Sequence, residues 1–286
     1  MIVFLLILAG AASAASIVFL WLLAPGRLLL SMETRLSGMK YAHRGLFNNQ
    51  GNAPENSMEA FRAAIDEGYG IELDVRLTKD GEVVVFHDGS LDRMCGLSAS
   101  VSSMTLAELR MQRLLESDET IPLFGEFLSM VGGRVPLLVE FKTSLPGSDW
   151  NAAAALCSAV MALLDEYSGA FVIESFDYNI LKWFRQNRPG VMRGQLAMGL
   201  SCYVPALGKR GALAIPAYRR VMLSFLLYNF AGRPHFISYR FEDAGICLAL
   251  CRALGARVSV WTVRTALDAV ELLKRYDAII FEGFNA

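Results

Sequence analysis

The chain has 286 residues, of which 54% are hydrophobic and 19% charged, and its formal net charge is −1. This composition excludes an intrinsically disordered protein, and the near-neutral charge argues against a nucleic-acid-binding protein. The hydrophobic fraction is above the roughly 45–50% of an ordinary soluble domain, so part of the chain is expected to contact lipid. Five cysteines without a CxxC pair argue against a disulfide framework or a structural zinc site and favour a reducing compartment.

The chain begins with a segment, residues 1–24, that carries no charged side chain. A helix of this length spans the roughly 30 Å of a bilayer core. The alternative is a cleaved signal peptide, since Ala12-Ser13-Ala14 resembles a cleavage site. However, no basic residue precedes the apolar run, and the run resumes at residues 17–23, which favours a retained single-pass anchor.

The residues after the anchor predict its orientation and the domain boundaries. Three basic residues follow the anchor closely: Arg27, Arg35 and Lys40. The positive-inside rule then places the remainder on the cytoplasmic side of the cell membrane. We therefore expect an anchor at 1–24, a juxtamembrane linker at 25–38 and a catalytic domain at 39–286.

The rest of the sequence alternates β-rich runs with amphipathic segments, as parallel βα units do. Eight strands are predicted to start near Met39, Ile71, Val135, Phe171, Val191, Phe236, Arg257 and Asp277. Helices are predicted at 55–67, 150–167, 177–186, 243–254 and 265–274. Eight alternations in this length predict an α/β protein with a (β/α)8 TIM barrel.

The end of the chain departs from a complete barrel. The eighth predicted strand, residues 276–281, is followed only by residues 282–286, which are too few for a closing helix. Either the segment between the anchor and the first strand covers the groove, or that face meets the membrane or another subunit.

Two of the predicted apolar strands each contain a pair of charged residues that are two positions apart. Glu72 and Asp74 are two residues apart, so both side chains point to one face, and Glu140 and Lys142 repeat the spacing. Three carboxylates that converge on a barrel mouth would repel one another unless a cation binds them. Mg²⁺ or Ca²⁺ suits such oxygen ligands. The alternative is that the acids are solvent-exposed and paired with Arg76 and Lys142.

Two of the three histidines follow apolar, β-rich runs. His43 follows the first strand, and His87 follows Val83-Val84-Val85-Phe86, whereas His235 precedes the sixth strand at the opposite end of the barrel. Histidines beside a carboxylate-bound metal provide a general acid and a general base for hydrolysis. We expect His43 and His87 to be catalytic and His235 to be structural or exposed.

Two cations are well placed for an anionic substrate. Arg44 offers a planar fork of donors and Lys142 a point charge, and both suit a phosphate. Either could instead pair with Glu55 or Glu72.

An ordered set of short motifs runs from about residue 39 to residue 281. The set comprises His43-Arg44-Gly45, Pro54-Glu55-Asn56-Ser57, Glu72-Leu73-Asp74, Thr78-Lys79-Asp80-Gly81, His87-Asp88, Leu91-Asp92-Arg93, Glu140-Phe141-Lys142 and Trp261-Thr262-Val263. Together these motifs resemble the glycerophosphodiester phosphodiesterase family, whose members adopt a TIM barrel.

The resemblance implies a role for each matching residue. It implies that Glu72, Asp74 and Glu140 bind one divalent metal ion, Mg²⁺ or Ca²⁺, and that His43 and His87 are the acid–base pair. It further implies that substrate is bound or oriented by four more residues: Arg44, Lys142, Glu55 and Trp261. The family ends its last strand with Thr-Asp-x-Pro, where this chain has Phe281-Glu282-Gly283-Phe284, and the insertion after the second strand is reduced to residues 97–119.

The implied activity is hydrolysis of a glycerophosphodiester to glycerol 3-phosphate and an alcohol, and some family members cleave lysophospholipids. One alternative is a phospholipase D or a transphosphatidylating enzyme on the same barrel. An alternative of another class is an inactive, membrane-tethered lipid-binding protein. The sequence does not predict the head group or the oligomeric state.

Residues 203–233 mix apolar runs with five basic residues. Such a segment either lies on an anionic membrane surface or is an ordinary barrel helix with a long loop. If the segment lies on a membrane surface, a membrane lipid is the expected partner. A lysophospholipid is then favoured over a soluble substrate.

Overall fold

The structure is a computed structural model that describes residues 1–29, 32, 35–204 and 214–286. One sheet contains nine strands in the order β1-β9-β8-β7-β6-β5-β4-β2-β3, and β1 also pairs with β2, which closes the barrel. The strands are β1 (Met39–Ala42), β2 (Gly70–Leu77), β3 (Val83–Val85), β4 (Leu137–Phe141), β5 (Phe171–Ser175), β6 (Arg193–Ala197), β7 (Phe236–Arg240), β8 (Arg257–Val263) and β9 (Ala278–Phe281). All barrel pairs are parallel, while β3 forms an antiparallel hairpin with β2. The predicted eight-stranded parallel barrel is confirmed.

Helices connect the strands. In the described part of the chain they are α1 (Ile2–Leu23), α2 (Met58–Asp66), α3 (Asp92–Cys95), α4 (Leu106–Leu109), α5 (Phe124–Val131), α6 (Trp150–Leu164), α7 (Tyr178–Asn187), α8 (Ala217–Ser224), α9 (Asn229–Gly232), α10 (Ile246–Ala253) and α11 (Ala266–Leu273). Side chains of Ser57, Asp149, Asp177 and Thr265 cap α2, α6, α7 and α11. The sequence analysis missed α5, which is short and starts without a side-chain cap.

The last residues of the chain pack over the outer face of β9, where a closing helix would lie. The ring of Phe284 is 5.4 Å from that of Phe281, and the Tyr69 hydroxyl donates to the Ala286 carbonyl at 2.7 Å. Tyr69 also meets Phe281 edge to face. Two aromatic rings and the tail therefore shield this groove, which is a third solution beside the two that the sequence left open.

The segment between α1 and β1 closes the bottom of the barrel instead. Met32 and Leu36 are 1% and 0% exposed, and Leu28 is half-buried beside them. They pack on inward-facing side chains such as Leu138 and Phe236, which lie below the polar end of the strands. Residues of the predicted juxtamembrane linker therefore form part of the barrel core.

Helix α1 is docked on the barrel only through its final turn. Its 22 residues have a mean hydropathy of 2.5, and its long apolar window is exposed. The Arg233 guanidinium donates to the carbonyls of Trp21 and Ala24, both at 2.8 Å, and the Asn229 amide donates to that of Leu23 at 3.0 Å. The helix meets the predicted length and composition of a membrane span, which signal sequences also satisfy.

The segment at 203–233 is partly described, since residues 205–213 lie outside the described residues. Its later part forms α8 and α9 on the outside of the barrel between β6 and β7. On α8, Leu223 is buried, whereas Tyr218, Val221 and the following Phe225 are exposed. One face of the segment thus packs on the barrel and the other faces outward.

Candidate active site

Three carboxylates meet at the C-terminal mouth of the barrel. Glu72 and Asp74 project inward from β2, and the register pairs Asp74 with Glu140 of β4. One oxygen from each of the three groups lies within 4.8 Å of the others. The three residues are between 1% and 6% exposed, which excludes the solvent-exposed reading of these acids.

Two cations neutralise part of this charge. The Lys142 ammonium lies 2.7 Å from Glu140 Oε1 and 3.2 Å from Asp74 Oδ1. The Arg44 guanidinium lies 2.5 Å from Glu55 Oε1 and 3.6 Å from Asp74 Oδ2, and its backbone N–H donates to Glu72 Oε2 at 2.9 Å. Arg44 and Lys142 therefore both face the carboxylates, and both are ion-paired.

The pKa values of these acids diverge because their neighbours differ. Burial and the charges of Asp74 and Glu140 raise the pKa of Glu72 well above its usual value. Burial would also raise the pKa of Asp74, but Lys142, His87 and Arg44 more than offset it and hold that pKa well below its usual value. The two pKa values move in opposite directions because, of the neighbouring charges, the other acids affect Glu72 most, whereas the cations affect Asp74 most.

The donor set fits a hard divalent cation. Mg²⁺ and Ca²⁺ prefer carboxylate oxygens, and three buried carboxylates within reach of one another would be stabilised by such an ion. The residues that would hold it are Glu72, Asp74 and Glu140, as the sequence predicts.

His43 stands at the junction of the first and last barrel strands. Ala42 pairs with Phe281, so the next residues, His43 and Glu282, lie side by side. The Glu282 carboxylate accepts from His43 Nδ1 at 2.5 Å, while His43 Nε2 is 3.9 Å from Glu72 Oε2. Burial, followed by the charge of Arg44, lowers the pKa of His43.

His87 is placed by the β2–β3 hairpin. The backbone N–H of Phe86 donates to the Asp74 carbonyl, and Arg76 donates twice to the carbonyl of His87. The Asp88 carboxylate accepts from His87 Nδ1 at 2.6 Å. Burial, followed by the charge of Lys142, lowers the pKa of His87 to about 4. The two histidines thus follow different strand ends, and the charge of Asp74 acts on both rings.

Residues of the Pro54–Ser57 motif contact Arg44 and Asp74 at the mouth. Glu55 binds Arg44 and accepts two hydrogen bonds from Arg93, at 2.7 and 2.8 Å. Although burial opposes ionisation, these arginines lower the pKa of Glu55 to about 2. The Asn56 amide donates to Asp74 Oδ2 at 2.8 Å, and the Ser57 hydroxyl caps α2. Glu55 therefore orients Arg44. This ion pair is one of the alternatives that the sequence left open for Arg44.

Trp261 belongs to an apolar wall on the β5–β8 side of the mouth. Its half-buried ring meets Phe176 edge to face, with 5.9 Å between ring centres. Leu145 and Tyr228 are also half-buried against the same cluster, whose buried members include Met198. The mouth therefore has a polar side, formed by β1 to β4 and β9, and an apolar side.

The third histidine is remote from this mouth. His235 precedes β7, is 3% exposed and accepts a hydrogen bond on Nδ1 from the backbone N–H of Arg193 at 3.2 Å. It is a buried, hydrogen-bonded residue at the bottom of the barrel, in line with its predicted structural role.

Sequence reasoning missed two acids of the site. Glu282 was noted only as a departure from the family ending, and its contact with His43 depends on a strand pairing between the two ends of the chain. Glu174 of β5 is paired in register with Glu140 and is 1% exposed. Burial and Glu140 raise its pKa well above the usual value. A lone acid inside the apolar strand Phe171–Ser175 was the available signal.

The fold and the mouth together define a (β/α)8-barrel protein with a buried acidic cluster and two histidines at the C-terminal ends of its strands, where barrel enzymes build their active sites. The sequence profile described as "Glycerophosphoryl diester phosphodiesterase family" matches residues 43–282. The chain belongs to this family.

Individual relatives support the assignment over shorter stretches. A glycerophosphodiester phosphodiesterase of Bacillus altitudinis is 41% identical over 37% of this chain and 45% of its own length. A lysophospholipase D of Rattus norvegicus is 38% identical over 32% of this chain and 28% of its own length. The matches thus span less than half of either relative.

A solved structure shares the fold. A phosphodiesterase of Oleispira antarctica, determined with the product sn-glycerol-3-phosphate, superposes with a TM-score of 0.66 at 21% identity. The superposition covers 86% of this chain and 93% of that protein.

Proposed function

We propose that this protein hydrolyses glycerophosphodiesters to glycerol 3-phosphate and an alcohol, with the help of one divalent cation, Mg²⁺ or Ca²⁺. The observation that carries the proposal is the convergence of Glu72, Asp74 and Glu140 with two histidines at one barrel mouth. Membership in the phosphodiesterase family supports it.

The chain's own groups would divide the reaction between them. Arg44 and Lys142 would hold the phosphate, since both are charged, part-exposed and beside the carboxylates. One of His43 and His87 would take the proton from the attacking hydroxyl, which belongs either to water or to the glycerol 2-position. The other would protonate the leaving alkoxide. If the 2-hydroxyl attacks, a cyclic glycerol phosphate forms first, and water then opens it to glycerol 3-phosphate. When bound, the cation would withdraw charge from the phosphate oxygens.

Trp261 and the apolar wall favour a lipid-bearing diester as a second substrate. A soluble glycerophosphodiester offers nothing apolar to Phe176, Trp261 or Leu145, whereas the acyl chain of a lysophospholipid does. The rat relative named lysophospholipase D is consistent with this choice.

Attachment to a membrane would bring such a substrate to the site. We propose that α1 spans the cell membrane once and that the barrel faces the cytoplasm, on the basis of the apolar helix and the cations that follow it. The domain boundaries at residues 24 and 38 are part of the same proposal, although Met32 and Leu36 of the linker pack in the barrel core.

The test is turnover of glycerophosphocholine and lysophosphatidylcholine by the full chain in detergent, with products identified by phosphorus NMR. We expect glycerol 3-phosphate from the first substrate and a roughly 10²–10⁴-fold loss in His87→Ala. His235→Gln, the control histidine at the barrel bottom, should retain the activity.

Trp261→Ala should reduce kcat/KM more for the lipid than for the soluble diester. Wild-type activity in His87→Ala would contradict the acid–base assignment, and equal losses in Trp261→Ala would contradict the lipid subsite.

A further inference from the structure

Glu282 occupies the point where the barrel closes. It follows β9, and the pairing of Phe281 with Ala42 sets it directly beside His43 at the mouth. Its carboxylate is 18% exposed, so water screens its contacts only in part. A residue that only ended the last strand would have no need of an acid here.

The two carboxylate oxygens have different partners. Oε2 is 2.5 Å from His43 Nδ1, whereas Oε1 accepts from Arg264 Nε at 2.9 Å and lies 2.6 Å from Arg264 Nη2. Arg264 follows β8, so three consecutive strand ends contribute to one chain of contacts. Two nitrogens of Arg264 thus hold one oxygen of the carboxylate, and the other oxygen contacts the imidazole.

We infer that Glu282 is a positioning residue for His43, which holds the ring proton on Nδ1 and leaves Nε2 directed at the carboxylate site. An ionised carboxylate only accepts hydrogen bonds, so the partner nitrogen must carry the proton. In the neutral ring the other nitrogen, Nε2, is then the basic one. The inference rests on the proposed function for the role of His43 in turnover.

His87 shows the same arrangement independently. Asp88 binds His87 Nδ1 through Oδ1 and accepts from Arg93 Nε at 2.7 Å through Oδ2. Each histidine of the mouth therefore has a carboxylate on Nδ1 and an arginine behind that carboxylate. His235 differs, because its Nδ1 accepts a backbone N–H and its proton must lie on Nε2.

The contact between Glu282 and His43 also bears on the changed ending of the last strand. The family ending Thr-Asp is Phe281-Glu282 in this chain, and Glu282 places its charge against His43 through one more methylene than an aspartate has. The changed ending therefore retains an acid at the mouth.

The first measurement is the nitrogen-15 spectrum of the histidine rings in the full chain, held in detergent near pH 8. Only three histidines are present, and His43→Gln and His87→Gln variants assign them. We expect two rings protonated on Nδ1 and one, His235, protonated on Nε2. In Glu282→Ala the His43 signals should shift toward an average of both tautomers, whereas those of His87 and His235 stay unchanged. A His43 ring that keeps its Nδ1 proton in Glu282→Ala would overturn the inference.

The second measurement is the split between kcat and KM on glycerophosphocholine. We expect kcat to fall about 10²-fold in Glu282→Ala, about tenfold in Glu282→Gln and less in Glu282→Asp, with KM changed by less than about threefold. The matched control is Asp277→Asn, which weakens a carboxylate–arginine pair, Arg257–Asp277, at the opposite end of the same two strands. Asp277→Asn should leave kcat unchanged.

The two readouts separate the possible failures. If Glu282 only staples the barrel, Glu282→Ala and Asp277→Asn lose stability alike, kcat stays, and the tautomer of His43 does not change. If the wild type does not hydrolyse the diester, the proposed function fails, yet the ring spectrum still decides the role of Glu282. If Glu282→Ala does not fold, the near-isosteric Glu282→Gln is compared in its place, and an unchanged kcat there would overturn the inference.

Discussion

Burial determines the ionisation of His235 at the bottom of the barrel. Its ring is 3% exposed and lies near Arg193, and burial followed by that charge lowers its pKa from 6.5 to about 3. Its Nδ1 is used as an acceptor, which requires the neutral ring. A proton on this ring would therefore cost both a desolvation penalty and a hydrogen bond.

This pKa predicts a pH-dependent stability. Above pH 6.5 neither the folded nor the unfolded chain protonates His235. As the pH falls from 6.5 toward 3, the unfolded chain binds a proton that the folded chain excludes, so the free energy of unfolding decreases. At pH 5 the loss is about 2 kcal/mol for this one group.

The check is urea unfolding of the full chain in detergent at pH 7.5 and pH 5.0. His235→Gln should lose about 2 kcal/mol less than the wild type between the two values, because the other titrating groups are common to both proteins. Parallel losses in the two proteins would show that the ring is protonated without cost in the folded state.

Among the elements of the fold, the segment between α1 and β1 differs most from its sequence-based prediction, which was a juxtamembrane linker. Its sequence resembles a tether, but Leu36 and Met32 complete the apolar layer under the barrel, and Gly26 donates to the Pro234 carbonyl at 2.8 Å. A side chain at Gly26 would collide with the Arg233 carbonyl, so this approach requires glycine. The described residues between α1 and β1 therefore pack against the barrel.

This packing predicts the effect of two leucine substitutions in one segment. Leu36→Ala removes a fully buried side chain and should lower the free energy of unfolding by about 2–5 kcal/mol. Leu29→Ala, in which the side chain is 47% exposed, should change it by less than about 0.5 kcal/mol. Urea unfolding measures both, and equal small effects would mean that the segment is a tether after all.

The barrel strands were readable from the sequence to within two residues, because each is an apolar β-rich run between turn residues. Glu72, Asp74 and Glu140 were readable for the same reason, since charges two residues apart in such a run are conspicuous, whereas the lone Glu174 was overlooked. The role of Glu282 was not, because it depends on a pairing between residues 239 positions apart. The packing of Met32 and Leu36 was not readable either, since an apolar stretch beside an anchor looks the same whether it meets lipid or a barrel.

Across the whole molecule, charged and apolar side chains are concentrated in different places. The net charge is only −1, but the mouth gathers several buried acids against Arg44 and Lys142. The apolar surplus lies elsewhere, in α1, in the outward face of α8 and in the wall around Trp261. This separation is consistent with the proposed function, in which a charged phosphodiester is hydrolysed at or near a lipid surface.

We propose that phosphodiester hydrolysis depends on a cation bound at the Glu72–Asp74–Glu140 site. The most direct test is to remove divalent ions from the full chain with a chelator, to restore Mg²⁺ or Ca²⁺ separately, and to measure glycerol 3-phosphate released from glycerophosphocholine. We predict that chelation abolishes release, that one of the two ions restores it, and that neither restores it in Glu72→Gln or Glu140→Gln. Release that is unaffected by chelation, or absent with every ion, would contradict the account.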